Sequence, residues 1–228
     1  MILRKWEDLP QNMQTKEVRP YYDILCKKKG ALVLKRIFDL VVSALMLIIL
    51  SPIFLILAVA IAVDSKGGVF FRQTRVTTYG KTFRIFKFRT MVANAEQVGS
   101  QVTTSNDMRV TRMGKILRGC RLDELPQLIN IFLGDMTFVG TRPEVVKYVE
   151  QYTPEMMATL LLPAGVTSEA SIQYKDESTL LDAAEDVDKV YVEQVLPGKM
   201  KYNLEAIKNF GLWYEFALLF RTVIAVLK

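Results

Sequence analysis

The sequence predicts a membrane-associated α/β protein, with an N-terminal re-entrant membrane helix hairpin, a small β-hairpin and several amphipathic interfacial helices. Three observations predict it. The run from Leu40 to Val63 holds twenty-four residues, carries no charge and has Pro52 near its middle. Lysines and arginines flank that run on both sides. Further on, Phe83-Arg84-Ile85-Phe86-Lys87-Phe88-Arg89 nearly alternates apolar and basic residues, the period of a strand. The organisation that follows is a surface arm over residues 1–30, a membrane element over 31–66 and a cytosolic domain with interfacial helices over 67–228.

The arm has neither the apolar core nor the cleavage site of a signal peptide, and its composition is mixed and polar. The run that follows exceeds the roughly 18 uncharged residues that mark a membrane segment. Lys27, Lys28, Lys29, Lys35 and Arg36 precede it, and Lys66, Arg72, Arg75, Lys81, Arg84, Lys87 and Arg89 follow it. Such cations tend to stay on the cytoplasmic side. If both flanks obey that bias, the segment enters the bilayer, turns and returns. Pro52 has no N–H for the carbonyl of Ile48, so the helix breaks at Ser51-Pro52. Each half would be about 18 Å long, short of a hydrocarbon core about 30 Å thick. Lipid offers no donors for the freed carbonyls, and the hydroxyls of Ser51 and Ser43 are the local candidates. The alternative is a helix that crosses the membrane with a mild kink.

The chain of 228 residues has a net charge of +6 and is half hydrophobic, which excludes disorder. A basic balance beside a membrane segment points to anionic lipid or phosphorylated substrates. The cations are dispersed and no recognition-helix or RNA-binding pattern occurs, so nucleic acid is not the expected partner. Histidine is absent, which excludes Ser-His-Asp and Cys-His nucleophile systems and His-ligated metals. Acid–base work falls to carboxylates, lysine or tyrosine. Cys26 and Cys120 lie far apart in basic sequence, consistent with a reducing compartment.

Val69 to Met91 reads as the β-hairpin, turning at Tyr79-Gly80, with a one-residue slip or bulge at Ile85-Phe86 that brings Lys87 and Arg89 onto one face. Ala93 to Asp107 reads as a short polar helix and a loop. Thr111 to Arg121 has helical period, with Met113, Ile116, Leu117 and Cys120 on one stripe. Asp123 to Phe132 reads as the next helix, with Pro126 in its first turn, closed by Gly134-Asp135-Met136. Glu144 to Tyr152 reads as helical, Pro163-Ala164-Gly165 as the start of a loop, and Asp176 to Asp188 as a solvated acidic helix. Leu212 to Leu227 is apolar but interrupted by Glu215 and Arg221. With Trp213 and Tyr214 at one end and Lys228 at the other, it suits a helix lying in the interface, or an ordinary core helix.

The densest charged cluster lies between Lys115 and Glu144 and contains Arg118, Arg121, Asp123, Glu124, Asp135 and Arg142. Adjacent carboxylates on a helix point about 100° apart. Asp123 and Glu124 can therefore serve different centres, one as nucleophile or base and one beside a hard cation such as Mg²⁺. A helix N-terminus there would favour a phosphate, with Arg118 and Arg142 binding its oxygens bidentately. Spacing alone favours an ordinary N-cap and a first-turn acid; the arginines and the membrane hairpin nearby shift the reading toward chemistry.

With these residues in view, the chain resembles the bacterial sugar transferase family, the monotopic polyprenyl-phosphate phosphoglycosyl transferases. The likeness runs from about Lys35 to the C-terminus. It rests on Lys35-Arg36-Ile37-Phe38-Asp39, Ser51-Pro52, Val69-Phe70-Phe71-Arg72-Gln73 and Lys87-Phe88-Arg89-Thr90-Met91. Leu122-Asp123-Glu124-Leu125-Pro126-Gln127-Leu128, Gly134-Asp135-Met136 and Val139-Gly140-Thr141-Arg142-Pro143 follow in order. Thr141 stands where the family often has proline, Thr77 replaces a common glycine, and Pro163-Ala164-Gly165-Val166-Thr167-Ser168-Glu169 departs from the Pro-Gly-to-Thr-Gly-Trp continuation of larger members.

The resemblance implies a compact family member at the cytoplasmic face of a bacterial inner membrane, in contact with membrane lipid and compatible with a homodimer. It implies transfer of a phosphosugar from a UDP-sugar to undecaprenyl phosphate with release of UMP, the first membrane step of glycan assembly. Asp123 would be the nucleophile and form a covalent phosphosugar intermediate, Glu124 would sit by Mg²⁺ with Asp123 as the second candidate metal ligand, and Arg118 and Arg142 would bind phosphate. Lys87 and Arg89, from the matching basic string, join the candidate phosphate-binding set. The competing reading is a non-catalytic membrane adaptor that binds anionic lipid; carboxylates among the arginines argue against it.

Overall fold

A computed structural model describes residues 3–93, 95, 107–175 and 186–227. Most of the Ala93–Asp107 segment and of the acidic stretch from Asp176 lies outside the described residues.

Helix α1 (Arg19–Cys26) leads into α2 (Lys29–Ile49), and α3 (Ser51–Asp64) follows after a single linking residue, Leu50. No single helix is long and apolar enough to cross a membrane, but α2 and α3 together meet that length and hydropathy and are bent by 61°. The break falls at Ser51-Pro52, as the missing proline N–H requires. The Ser51 hydroxyl donates to the carbonyl of Ile48 at 2.8 Å and so serves the acceptor that Pro52 leaves free. Ser43 instead donates to Leu40 O at 3.2 Å, one turn earlier and away from the break.

Helix α2 is polar on the inside. Lys35, Asp39 and Ser43 recur every fourth residue and are buried, whereas Leu34, Ile37, Val41, Leu45 and Ile48 are exposed. A helix facing water presents the reverse pattern. Lys35 Nζ donates to Val139 O at 2.8 Å and pairs with Glu215. Asp39 accepts from Thr137 Oγ1 at 2.6 Å and from Phe138 N at 3.2 Å.

Strands β1 (Phe70–Val76) and β2 (Thr82–Phe88) form the antiparallel hairpin, turning through Thr78–Gly80 with Tyr79 left-handed at φ 58°. Their register runs unbroken from Phe70↔Phe88 to Val76↔Thr82, so the bulge expected at Ile85-Phe86 is absent. Both faces of β2 are covered instead. Phe83 and Ile85 pack with Leu128, Ile131 and Met136, and Phe88 packs with Leu57, Ile61 and Leu117.

Helix α4 (Arg112–Gly119) is capped by Thr111, whose Oγ1 accepts from Gly114 N at 3.0 Å. Of its expected stripe Leu117 is buried and Met113 packs beside it, while Ile116 and Cys120 are exposed. The expected helix from Asp123 is shorter and starts later. Leu122–Glu124 is a 3₁₀ turn and α5 runs Gln127–Leu133. An α-helix begun at Leu122 needs the N–H of residue 126 for its first bond, and Pro126 has none. The Leu125 N–H bonds Leu122 O instead, at 3.2 Å. Gly134 closes α5 as expected.

Strand β3 (Met136–Val139) pairs in parallel with β4 (Ala164–Thr167), where a loop was expected. Pro163 and Gly165 signal a turn in the sequence, yet Gly165 is there for close packing. A Cβ on it would fall 2.2 Å from backbone atoms of Gly140. Thr77 donates to Asp135 O at 2.7 Å and accepts from Ala164 N at 3.1 Å, tying the hairpin to this second sheet.

Helix α6 covers only Val146–Val149, with Glu144 buried ahead of it. Helix α7 (Glu169–Gln173), α8 (Val187–Val190), the π-turn Tyr191–Val195 and α9 (Leu196–Lys208) lead to α10 (Leu212–Leu227). In α10 Glu215 turns inward to Lys35 and Arg221 pairs with Glu169 at 2.7 Å, while Trp213, Phe216, Phe220 and Val223 are exposed. The N-terminal segment differs from the expected surface arm. Leu3, Leu9, Met13, Val18, Tyr21, Tyr22 and Leu25 are buried in one cluster with Met157, Leu160, Leu161 and Phe210.

Candidate active site

The 3₁₀ turn Leu122–Glu124 presents Asp123 and Glu124 beside strand β2 and the segment after β3. It is entered through Arg121, held left-handed at φ 53°, a conformation that costs a non-glycine residue energy and is enriched at functional sites. The helix that follows, α5, has seven residues and opens after Pro126, so the N-terminal helix end expected at Asp123 is absent.

Glu124 is saturated with cations. Its Oε1 accepts from Lys87 Nζ at 2.9 Å and pairs with Arg142, whose Nη1 reaches Oε2 at 3.4 Å. Burial by itself would raise the Glu124 carboxyl, but Arg142 and then Lys87 outweigh it and hold the group well below the usual carboxylate range. Asp123 is half-buried and makes no hydrogen bond or ion pair among the described residues. Burial pushes its carboxyl above the ordinary value, and Lys87 opposes that shift only in part. Burial also lowers Lys87, against the pull of Glu124.

Arg118 reaches the site from α4. Its Nε donates to Thr90 Oγ1 at 2.9 Å, and its charge acts on Asp123. Gly114 lets α4 lie against Thr90, since a Cβ there would fall 2.1 Å from the Thr90 carbonyl oxygen. Arg142 follows β3 and is fixed from behind. Arg75 Nη1 donates to Pro143 O at 3.2 Å, and Val76 N donates to Glu144 O at 2.9 Å.

The structure thus gathers Asp123, Glu124, Lys87, Arg118 and Arg142. It carries Arg89 elsewhere. That side chain is buried and donates to Ser65 O at 2.6 Å, Ser65 Oγ at 3.0 Å and Ile61 O at 3.3 Å, clasping the end of α3.

A cleft of about 250 Å³ opens beside Glu124 and Arg142. Its floor is apolar, with Met46, Leu125, Leu128, Ile131, Phe138, Val166 and Ile172, and Arg121, Gln127, Thr167, Ser171, Lys175 and Thr222 supply polar groups. Sequence reasoning missed the place of Gln127, Thr167 and Thr222 in this wall, because nothing in their spacing marks a cleft built from elements far apart in the chain.

Among the described residues no cluster of three or more histidines, cysteines or carboxylates could hold a metal alone. Magnesium usually takes one or two carboxylates and completes its shell with phosphate oxygens and water. Asp123, whose oxygens make no hydrogen bond among the described residues, fits one such carboxylate ligand, while Glu124 is already engaged by Lys87 and Arg142.

The family model described as bacterial sugar transferase matches residues 30–228. The chain is 36% identical over 197 residues to a UDP-N-acetylgalactosamine-undecaprenyl-phosphate N-acetylgalactosaminephosphotransferase of Aeromonas hydrophila, covering 85% of this chain and 44% of that protein. It is 37% identical over 196 residues to a UDP-glucose:undecaprenyl-phosphate glucose-1-phosphate transferase of Klebsiella pneumoniae, covering 84% of this chain and 40% of the relative. An undecaprenyl-phosphate galactose phosphotransferase of Salmonella typhimurium is 32% identical over 216 residues, covering 88% and 42%. The chain therefore spans less than half the length of these relatives. With the match running from the start of the helical hairpin to the last residue, the chain belongs to the bacterial sugar transferase family.

Proposed function

We propose that the protein transfers a phosphosugar from a UDP-sugar to undecaprenyl phosphate, releasing UMP, at the cytoplasmic face of a bacterial inner membrane. The single observation that carries the reading is the contrast between two neighbouring carboxylates. Glu124 is locked between Lys87 and Arg142, while Asp123 is unpartnered among the described residues. An unpartnered, partly desolvated carboxylate flanked by cations is a nucleophile waiting for a phosphorus centre.

In this reading an Asp123 carboxylate oxygen forms a bond to the β-phosphorus of the donor. The bond from that phosphorus to the oxygen bridging the two phosphates breaks, and UMP leaves with the electron pair. An oxygen of the lipid phosphate then attacks the same phosphorus, and the Asp123 carboxylate is the leaving group. Neither step requires a proton carrier, in keeping with a chain that lacks histidine. Arg142, Lys87 and Arg118 offset the charge of the anions that meet there. A magnesium ion bound with the diphosphate beside Glu124 would supply further charge neutralisation.

The membrane location is supported by α2, whose buried face is polar and whose exposed face is apolar, and by the apolar outer face of α10. A hairpin that enters one leaflet and returns would leave the site level with lipid phosphates. The three relatives named above act on N-acetylgalactosamine, glucose and galactose donors, so the sugar remains the variable to measure. The test is UMP release from purified protein across a panel of UDP-sugars with Mg²⁺, before and after undecaprenyl phosphate is added. Release without acceptor, with a phosphosugar adduct on Asp123 in the mass spectrum, is the expected result. A strict requirement for both substrates together would exclude the covalent route.

A further inference from the structure

Gln127 is the first residue of α5, three positions after Glu124. It is 1% exposed, and its Nε2 has no hydrogen-bond partner among the described residues. Native structures seldom leave a buried amide donor unpaired, because the lost hydration is not repaid. The same residue lines the cleft shared with Glu124 and Arg142. An unsatisfied donor inside a substrate-sized cleft is a group kept for a ligand.

The surroundings indicate which part of the ligand. Phosphate oxygens are drawn to Arg142, Lys87 and Arg118, which carry full charges. Gln127 is neutral, and an amide that both donates and accepts suits an uncharged oxygen. The same wall combines the hydroxyl residues Thr167, Ser171 and Thr222 with the apolar Phe138 and Ile172, and Arg121 and Lys175 add charge to it. That mixture fits a carbohydrate ring, with polar edges and apolar C–H faces. In the donor, the sugar is attached directly to the phosphorus that Asp123 would attack, so it must lie within a residue's reach of Glu124.

We infer that Gln127 reads the sugar, its carboxamide hydrogen-bonding an uncharged hydroxyl or acyl carbonyl oxygen of the group carried on the diphosphate. The inference rests on the transferase reading for the identity of the donor. A site built around one such bond discriminates against donors that lack the matching oxygen, because the buried amide is then left unpaired.

The experiment compares wild-type protein with Gln127→Leu and Gln127→Met, which keep the volume and remove the amide. Three quantities are measured: melting temperature without ligand, affinity for UDP and for a series of UDP-sugars, and kcat/KM for UMP release. Removing an unpaired buried donor should leave the melting temperature equal or higher. UDP affinity should be unchanged, and affinity and kcat/KM for the preferred UDP-sugar should fall about tenfold, narrowing the preference between sugars. Equal losses for UDP and UDP-sugar would move the contact to the nucleotide and overturn the inference. Unchanged sugar preference, or lower melting temperatures in both variants, would make the amide structural and also overturn it. Wild-type protein that binds UDP-sugars without releasing UMP would defeat the transferase reading, while the binding comparison would still decide the role of Gln127.

Discussion

Two charged assemblies lie along and just after strand β3. At the root of the helical hairpin, Lys35, Asp39 and Glu215 form a set in which every charge is partnered. Lys35 engages Glu215 and Val139 O, and Asp39 takes Thr137 Oγ1 and Phe138 N. At the cleft, Lys87, Arg142, Glu124 and Asp123 use the same residue types, yet one carboxylate is left over. The first set joins α2 to β3 and α10 and holds the fold. The second keeps, among the described residues, an anion without a partner next to Glu124, which lines the cleft. The difference teaches that residue type does not distinguish scaffold from chemistry here, whereas completeness of pairing does.

The largest expected effect breaks the comparison at its unpaired end. Asp123→Asn should lower UMP release by a factor on the order of 10⁴, the scale seen when a nucleophilic unit is disabled. Its melting temperature should not drop, since a buried charge without a partner is removed. Turnover near the wild-type level would sink the nucleophile assignment. At the paired end the pattern inverts. Lys35→Met leaves Glu215 without its cation and should cost about 3–5 kcal/mol in denaturant unfolding. The double replacement Lys35→Met, Glu215→Met should recover most of that loss. A single variant as stable as wild type would mean that the hairpin root is not held by this pair.

Much of this was legible in the sequence. Pro52 announced the break, Tyr79-Gly80 the hairpin turn, and adjacent acids among arginines the charged cluster proposed as the site, because each signal is local. What was not legible depends on distant partners. Lys35 read as a flanking cation and Asp39 only as part of a matching string, and only packing against Val139, Thr137 and Glu215 shows that they point inward. Leu3, Leu9, Met13 and Val18 have no regular period, so their burial follows from contact with residues 157–161, far along the chain. The β3–β4 pair was hidden by Pro163 and Gly165, whose turn signals mask a close approach to Gly140. Arg89 matched the basic string, but the path of the chain after β2 delivers it to the end of α3.

A subtler difference between the two cleft carboxylates lies in their titration. The folded pKa of Asp123 is raised above its unfolded value, so its ionised form weakens the fold at pH values above the raised pKa, and that cost disappears as pH falls. The folded pKa of Glu124 is depressed, so its stabilisation is full above the ordinary carboxylate range and is lost as pH falls through the lowered value. Activity that requires ionised Asp123 should therefore show an acidic limb in kcat/KM above the ordinary aspartate value of about 3.9. The negative charge of Glu124 contributes to the rise at Asp123. In Glu124→Gln, whatever rate survives should show its acidic limb moved to lower pH, because that charge is gone and Lys87 and Arg142 are released toward Asp123. A limb that moves up or stays fixed would show that Asp123 does not govern it.

The smallest effect extends the contrast between paired and unpaired groups to the backbone. Pro52 leaves Ile48 O without its helical donor, and Ser51 Oγ fills the vacancy at 2.8 Å. Ser51→Ala should cost about 1 kcal/mol, the net worth of one hydrogen bond, with turnover unchanged. Pro52→Ala restores an N–H at the position that can serve the same carbonyl. In that background the serine hydroxyl becomes redundant, so Ser51→Ala should then cost nothing measurable, a coupling that a double-mutant cycle reads directly. Equal costs in the two backgrounds would mean that Ser51 stabilises the bend by some route other than the carbonyl that proline abandons.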